Sequence, residues 1–144
     1  MLFRFALALA TLLLALGAAG CGGGDDEGEE EGEGGAKVAC EGDALSSTNL
    51  PDSFPEVQGV TLTKQETNGP TEVVDGYYEG ELEDAYNAYK DAFESANYDV
   101  LFDELEEDDS EVSYAGDGKS GQVALRKDCE EDGRITVHIT SRPE

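Results

Sequence analysis

Asp103, Glu104, Glu106, Glu107, Asp108, Asp109 and Glu111 place seven carboxylates within nine consecutive residues. Oxygen ligands at this density suit a hard cation, because calcium takes about six to eight of them. The run lacks the spacing and the glycine of an EF-hand loop, so any binding is expected to be weak, with a dissociation constant on the order of 10⁻⁴ to 10⁻³ M. A block of like charge is ordinarily a hydrated surface segment. The expectation is therefore a mobile acidic loop, with these seven residues as weak metal candidates and no specific metal site.

Nucleophilic catalysis needs a base beside a serine, cysteine or lysine. His138 is the one histidine of the chain, and it lies between Val137 and Ile139 on a strand pattern that turns it away from the apolar side. It reads as a solvated strand histidine. Gly116-Asp117-Gly118-Lys119-Ser120-Gly121 has the composition of a phosphate loop without the spacing of one. A carboxylate-pair hydrolase would draw on 34 acidic side chains, but that abundance singles out no pair, and two convergent buried carboxylates in a cleft would be required. The chain contains no tryptophan, which argues weakly against sugar stacking. These residues predict neither a catalytic centre nor a cofactor.

The elements that would carry these side chains are legible from periodicity. Val60-Thr61-Leu62-Thr63 alternates, Asn68-Gly69 is a hairpin signal, and Thr71-Glu72-Val73-Val74 resumes a strand to Tyr78. Gly76 shares a face with Val74 and Tyr78 and would admit a close backbone approach. Leu82, Ala85, Tyr86, Tyr89, Ala92, Phe93 and Ala96 recur at helical spacing. Acidic Glu81, Glu83 and Asp84 suit the first turn of that helix, and Asn97 can end it in a left-handed conformation. Tyr86 and Tyr89, on the apolar stripe, are core residues. Tyr98, Val100 and Phe102, then Val112 and Tyr114, then Val123 and Leu125, then Ile135, Val137 and Ile139 alternate as strands, with turns at Asp117-Gly118 and Asp132-Gly133. The order is two strands, one helix, then three or four strands. It predicts an α+β domain, an antiparallel sheet with the amphipathic helix packed on one face, over residues 36–144.

The first twenty residues are of another kind. Arg4 precedes an eleven-residue apolar stretch, Ala6 to Leu16, which fits the core of an export signal and is too short to span a bilayer. Leu16-Gly17-Ala18-Ala19-Gly20-Cys21 resembles the lipobox of bacterial lipoproteins, although Ala18 stands where that family more often has leucine. The resemblance covers about 21 residues. It implies cleavage before Cys21, a lipid thioether on that cysteine, and anchoring on the outer face of a membrane. In its element order the remainder looks like small bacterial lipoproteins with one helix on a meander sheet, a likeness that carries nothing functional.

Residues 22–35 contain only glycine, aspartate and glutamate. No apolar surface is available there to offset the entropy of ordering, so the segment reads as a flexible tether, about 20 Å end to end as a coil. With Cys21 acylated, Cys40 and Cys129 remain as a pair in an oxidising compartment, and a disulfide between them is the expected outcome. Two cysteines and one histidine are too few for a closed zinc site.

The formal charge of −25 repels nucleic acid and anionic head groups and favours cationic partners. The expectation is an extracytoplasmic binding or interaction module at the bacterial cell envelope, held to the membrane by lipid, with an unknown protein or cationic partner. A cation-responsive envelope protein and a carboxylate-based hydrolase stand as alternatives.

Overall fold

The computed structural model describes residues 40–144. The expected signal segment, Cys21 and the tether lie outside the described residues. Six strands, one α-helix and one short 3-10 turn follow in the order β1 (Val60–Asn68), β2 (Thr71–Glu79), α1 (Leu82–Ser95), β3 (Asp99–Leu105), β4 (Asp109–Gly116), β5 (Lys119–Cys129), the 3-10 turn (Glu130–Asp132), which with Gly133 widens the turn expected at Asp132-Gly133, and β6 (Arg134–Pro143). They form the expected α+β fold, and the second group of strands has four members.

The spatial order is β1-β2-β6-β5-β4-β3, with every neighbouring pair antiparallel. After β2 the chain crosses the sheet as α1 and returns as β3 at the far edge. A meander then leads back until β6 closes the sheet between β5 and β2. The two strands at the centre of the sheet therefore come from the end of the chain, and the hairpin that comes first in sequence is left at one edge.

Helix α1 follows its apolar period. Leu82, Ala85, Tyr86, Tyr89 and Phe93 are buried, Glu83 and Asp84 occupy the first turn, and the chain leaves the helix through Asn97 at φ 61. Its buried stripe packs with Val74, Val112, Tyr114, Val123, Leu125, Ile135, Val137 and Ile139 from one face of the sheet. The stretch before β1 adds Leu45, Leu50, Phe54 and Val57 to the same layer. The Phe93 ring stacks on Tyr114 at 4.6 Å, and Phe54 meets Phe93 edge-on at 5.5 Å. Such aromatic pairs contribute about 0.5–1.5 kcal/mol each beyond the area they bury. Burial pushes the Tyr114 hydroxyl up to about 12, and that hydroxyl donates to the Thr140 carbonyl at 2.8 Å. Burial likewise raises Tyr89 above the ordinary phenol range.

Cys40 and Cys129 are joined in a disulfide, with Cα atoms 5.5 Å apart. Arg134 reinforces the same junction by donating from Nη1 to the Cys40 carbonyl at 2.9 Å, with its guanidinium over the Tyr77 ring at 4.3 Å.

Gly76 has the role its position suggested. A Cβ there would lie 2.2 Å from the Thr61 carbonyl oxygen of β1, beside the register irregularity between Leu62 and Lys64.

Three expectations change in the structure. Asn68 pairs with Thr71, so the corner of the first hairpin is Gly69-Pro70 rather than Asn68-Gly69. Gly69 supplies the positive φ of 62, and Pro70, with no N–H to donate, suits a corner better than a ladder position. The acidic run is a hairpin rather than a mobile loop. Asp103, Glu104 and Leu105 pair with Val112, Glu111 and Ser110, and Glu106 N donates to the Asp109 carbonyl across the turn. Alternation explains this, because Ser110, Val112 and Tyr114 are buried on the helix side while Asp109 and Glu111 face the other way. Finally, the β3–β4 register shifts between Val100 and Phe102. The extra residue, Leu101, breaks the alternation, so Phe102 leaves the face that Val100 occupies and stands exposed.

Candidate functional site

One face of the sheet is filled by α1 and the segment before β1. No secondary-structure element among the described residues covers the other. The strand register aligns its side chains in rows that run across the sheet. One row reads Glu66, Val73, Thr140, Gln122, Ser113 and Phe102, and the next reads Lys64, Asp75, His138, Ala124, Glu111 and Glu104. Each member pairs directly with its neighbour, so all six in a row share a face.

Three members of the first row, Thr140, Gln122 and Ser113, form the floor of an open groove of about 470 Å³. Ser113, Gln122 and Thr140 line it with hydroxyl and amide groups, Leu101 borders it on the β3 side, and Arg142, Ser120 and Thr71 border it at the end of the sheet. Arg142 has no ion-pair partner among the described residues, although the chain as a whole is strongly acidic. Short hydroxyls and an amide on a rigid sheet can form directed hydrogen bonds with a ligand while losing little side-chain entropy.

The second row holds the one buried carboxylate among the described residues. Asp75 Oδ1 lies 2.6 Å from His138 Nδ1, with 5% of the Asp75 side chain and 41% of the His138 side chain exposed. The expected solvated histidine is thus half-buried against a carboxylate. A hydrogen bond at Nδ1 orients the imidazole ring. No hydroxyl, thiol or amine among the described residues is hydrogen-bonded to His138, so the pair is not joined to a nucleophile there. Asp75 also lacks a second buried carboxylate near it, which is what a carboxylate-pair hydrolase would need.

The weak metal candidates do not converge. Asp103 points to the helix side, where it accepts from Lys90 Nζ at 2.7 Å and from the Tyr86 hydroxyl. Glu104, Asp109 and Glu111 point to the open face, and Glu106, Glu107 and Asp108 form the turn between β3 and β4. Among the described residues, no group of three or more histidine, cysteine or acidic side chains is placed to hold one metal ion. Like-charged Glu104 and Glu111 are direct cross-strand partners, an arrangement that is destabilising without a counter-charge.

Gly116-Asp117-Gly118-Lys119-Ser120-Gly121 is the corner between β4 and β5. Asp117 and Gly118 occupy it with φ of 52 and 68, which identifies a tight hairpin turn of the type that needs two positive φ values.

Sequence reasoning missed the groove and the Asp75 partner of His138. The one available signal for the partner was a charged residue inside the apolar stretch from Val73 to Tyr78. Among the described residues, no helix is long and apolar enough to cross a membrane. Comparison with protein-family models and with curated proteins finds no match to this chain.

Proposed function

We propose that this chain is a bacterial lipoprotein, exported, cut before Cys21 and acylated there, which presents its α+β domain as a binding module on the extracytoplasmic side of the envelope. The observation that carries the binding reading is the sheet face opposite α1, which is open over β3, β4 and β5. Its polar groove is built on strands that the core and the disulfide hold rigid, while the opposite face is consumed by packing. A few polar groups that converge on a preformed surface give a binding site its orientation and specificity. The anchor rests on the residues ending at Cys21, and the glycine and acidic tether would let the domain stand clear of the bilayer.

Two measurements test this. Metabolic labelling with a fatty-acid analogue and membrane fractionation should show label and membrane retention in the wild type, both lost in Cys21→Ser. Membrane retention of the mutant, with no label in the wild type, refutes the anchor. For the binding face, a photoreactive side chain at Gln122 should capture a partner in intact cells, and one at Asn87 on the outer side of α1 should not. Capture from Asn87 alone would move the interface to the helix and refute the role of the groove.

A further inference from the structure

The two edges of the sheet are treated differently by the chain. Along β1, Leu45 N donates to the Leu62 carbonyl at 2.8 Å and Asn49 N to Gln65 Oε1 at 3.0 Å, so the segment before the strand lies over that edge. Along β3, the inner side pairs with β4, and no backbone group of another element among the described residues bonds to the outer side. An open edge offers a row of unpaired backbone donors and acceptors to an incoming strand.

The side chains on this edge narrow the choice of occupant. Leu101, Phe102 and Leu105 are 64%, 51% and 40% exposed, and they are the exposed large apolar residues among those described. All three stand on β3, and Leu101 also borders the groove. Asp99, Glu104, Glu106, Glu107 and Asp108 surround them with no lysine or arginine between Asp99 and Glu111. Asp103 alone in this stretch is matched, by Lys90.

A second copy of the chain would set this acidic edge against itself, and like charges across a strand pair are destabilising. An anionic lipid surface is repelled for the same reason. An extended segment that carries both apolar residues and lysine or arginine satisfies all three features. Its backbone completes the ladder, its apolar side chains cover Leu101 and Phe102 on the groove face and Leu105 on the helix face, and its cations meet Glu104 and the carboxylates of the turn. Strand addition of this kind draws affinity from main-chain hydrogen bonds and specificity from side chains.

We propose that the outer edge of β3 is a docking site for an extended basic and apolar segment of a partner protein, which adds to the sheet as a seventh strand beside the groove. The inference rests on the reading of this domain as a binding module and names the chemistry of its partner.

The test uses the full chain, solubilised in detergent, and a short capped peptide of mixed lysine and valine with both residue types on each face of the strand. Binding should slow amide hydrogen exchange across Asp99–Leu105 and should weaken as salt is raised. Phe102→Lys together with Glu104→Lys should reduce affinity by roughly tenfold or more, the scale set by losing an apolar contact and reversing a charge at the centre of an interface. Asp91→Lys with Glu94→Lys, which makes a comparable change in net charge on the outer face of α1, should leave binding in place. Equal loss in the helix variant, equal binding of oligolysine, or protection confined to other strands each overturns the proposal, since charge alone or another surface would then explain binding. Protection of β3 through self-association without peptide overturns it in favour of a second copy. Should Gln122 capture a partner while the peptide fails to bind, this inference falls and the binding-module reading stands.

Discussion

Asp75 has 5% of its side chain exposed and sits one strand in from the sheet edge. A carboxylate so placed needs a hydrogen-bond donor, because a buried polar group left unpaired costs about 1–3 kcal/mol, and more when charged. His138 Nδ1, at 2.6 Å, is the donor the described side chains supply. His138→Ala should therefore lower the unfolding free energy by about 1–3 kcal/mol in urea titrations. Asp75→Asn, whose amide oxygen can still accept from Nδ1–H, should cost less. Equal midpoints for His138→Ala and the wild type would mean that solvent satisfies Asp75 unaided. The alternation Ile135, Val137, Ile139 placed His138 on the correct face, but its partner could not be read. The pairing spans 63 residues and depends on β6 inserting beside β2. Nothing in either strand's own pattern encodes that choice of neighbour.

The helix was the most legible element, since seven apolar positions at a period near 3.6 leave little freedom. The β3–β4 hairpin was the least legible. Next to its turn the solvent-side positions Glu104, Asp109 and Glu111 are acidic, and with the turn residues they form a charge run that hides where the strand period of Val112 and Tyr114 begins. Besides the apolar packing of Val112 and Tyr114 on the helix, this hairpin is tied to it by the cluster of Lys90, Tyr86 and Asp103. The hydrogen bond from Lys90, reinforced by that from Tyr86, holds the Asp103 carboxyl below its ordinary range, and the bond to Asp103 raises Lys90. Asp103, with its folded value depressed, stabilises the fold above its unfolded value near 3.8. That contribution disappears as pH falls through the lower folded value. Lys90, with its folded value raised, contributes fully below about 10.5 and loses its contribution as pH rises through the folded value. Both side chains keep about a third of their surface in solvent, 30% and 32%, so screening makes the effect at neutral pH small. Lys90→Met should accordingly shrink the stability difference between pH 7 and pH 3, read as denaturation midpoints, by removing a contribution present only at the higher pH. A variant with the same acid dependence as the wild type would show that the contact does not couple helix to hairpin.

At the scale of the whole domain, a small core works against strong self-repulsion. The chain carries 34 acidic and 9 basic residues, and excess charge of one sign destabilises the compact state. The Cys40–Cys129 disulfide closes a span of 89 residues. By chain-entropy reasoning such a closure restricts the unfolded ensemble by about 4–5 kcal/mol, within an observed range of about 0–5. Total stabilities of about 5–15 kcal/mol are usual for single domains, so the staple can supply a large share of the margin here. It also fixes the entry of the described chain beside the end of β5, where Arg134 holds the Cys40 carbonyl. Replacing both cysteines, Cys40→Ala with Cys129→Ala, should lower the unfolding free energy by about 2–5 kcal/mol. Because the remaining core must then resist the acidic field alone, the variant should be most impaired at low ionic strength and partly recover as salt screens the carboxylates. Chemical denaturation of both proteins at two salt concentrations, with the bond confirmed by non-reducing mass spectrometry, measures each effect. If both proteins unfold at the same denaturant concentration in low salt, the disulfide is not what offsets the charge, and the packing of α1 against the sheet suffices without it.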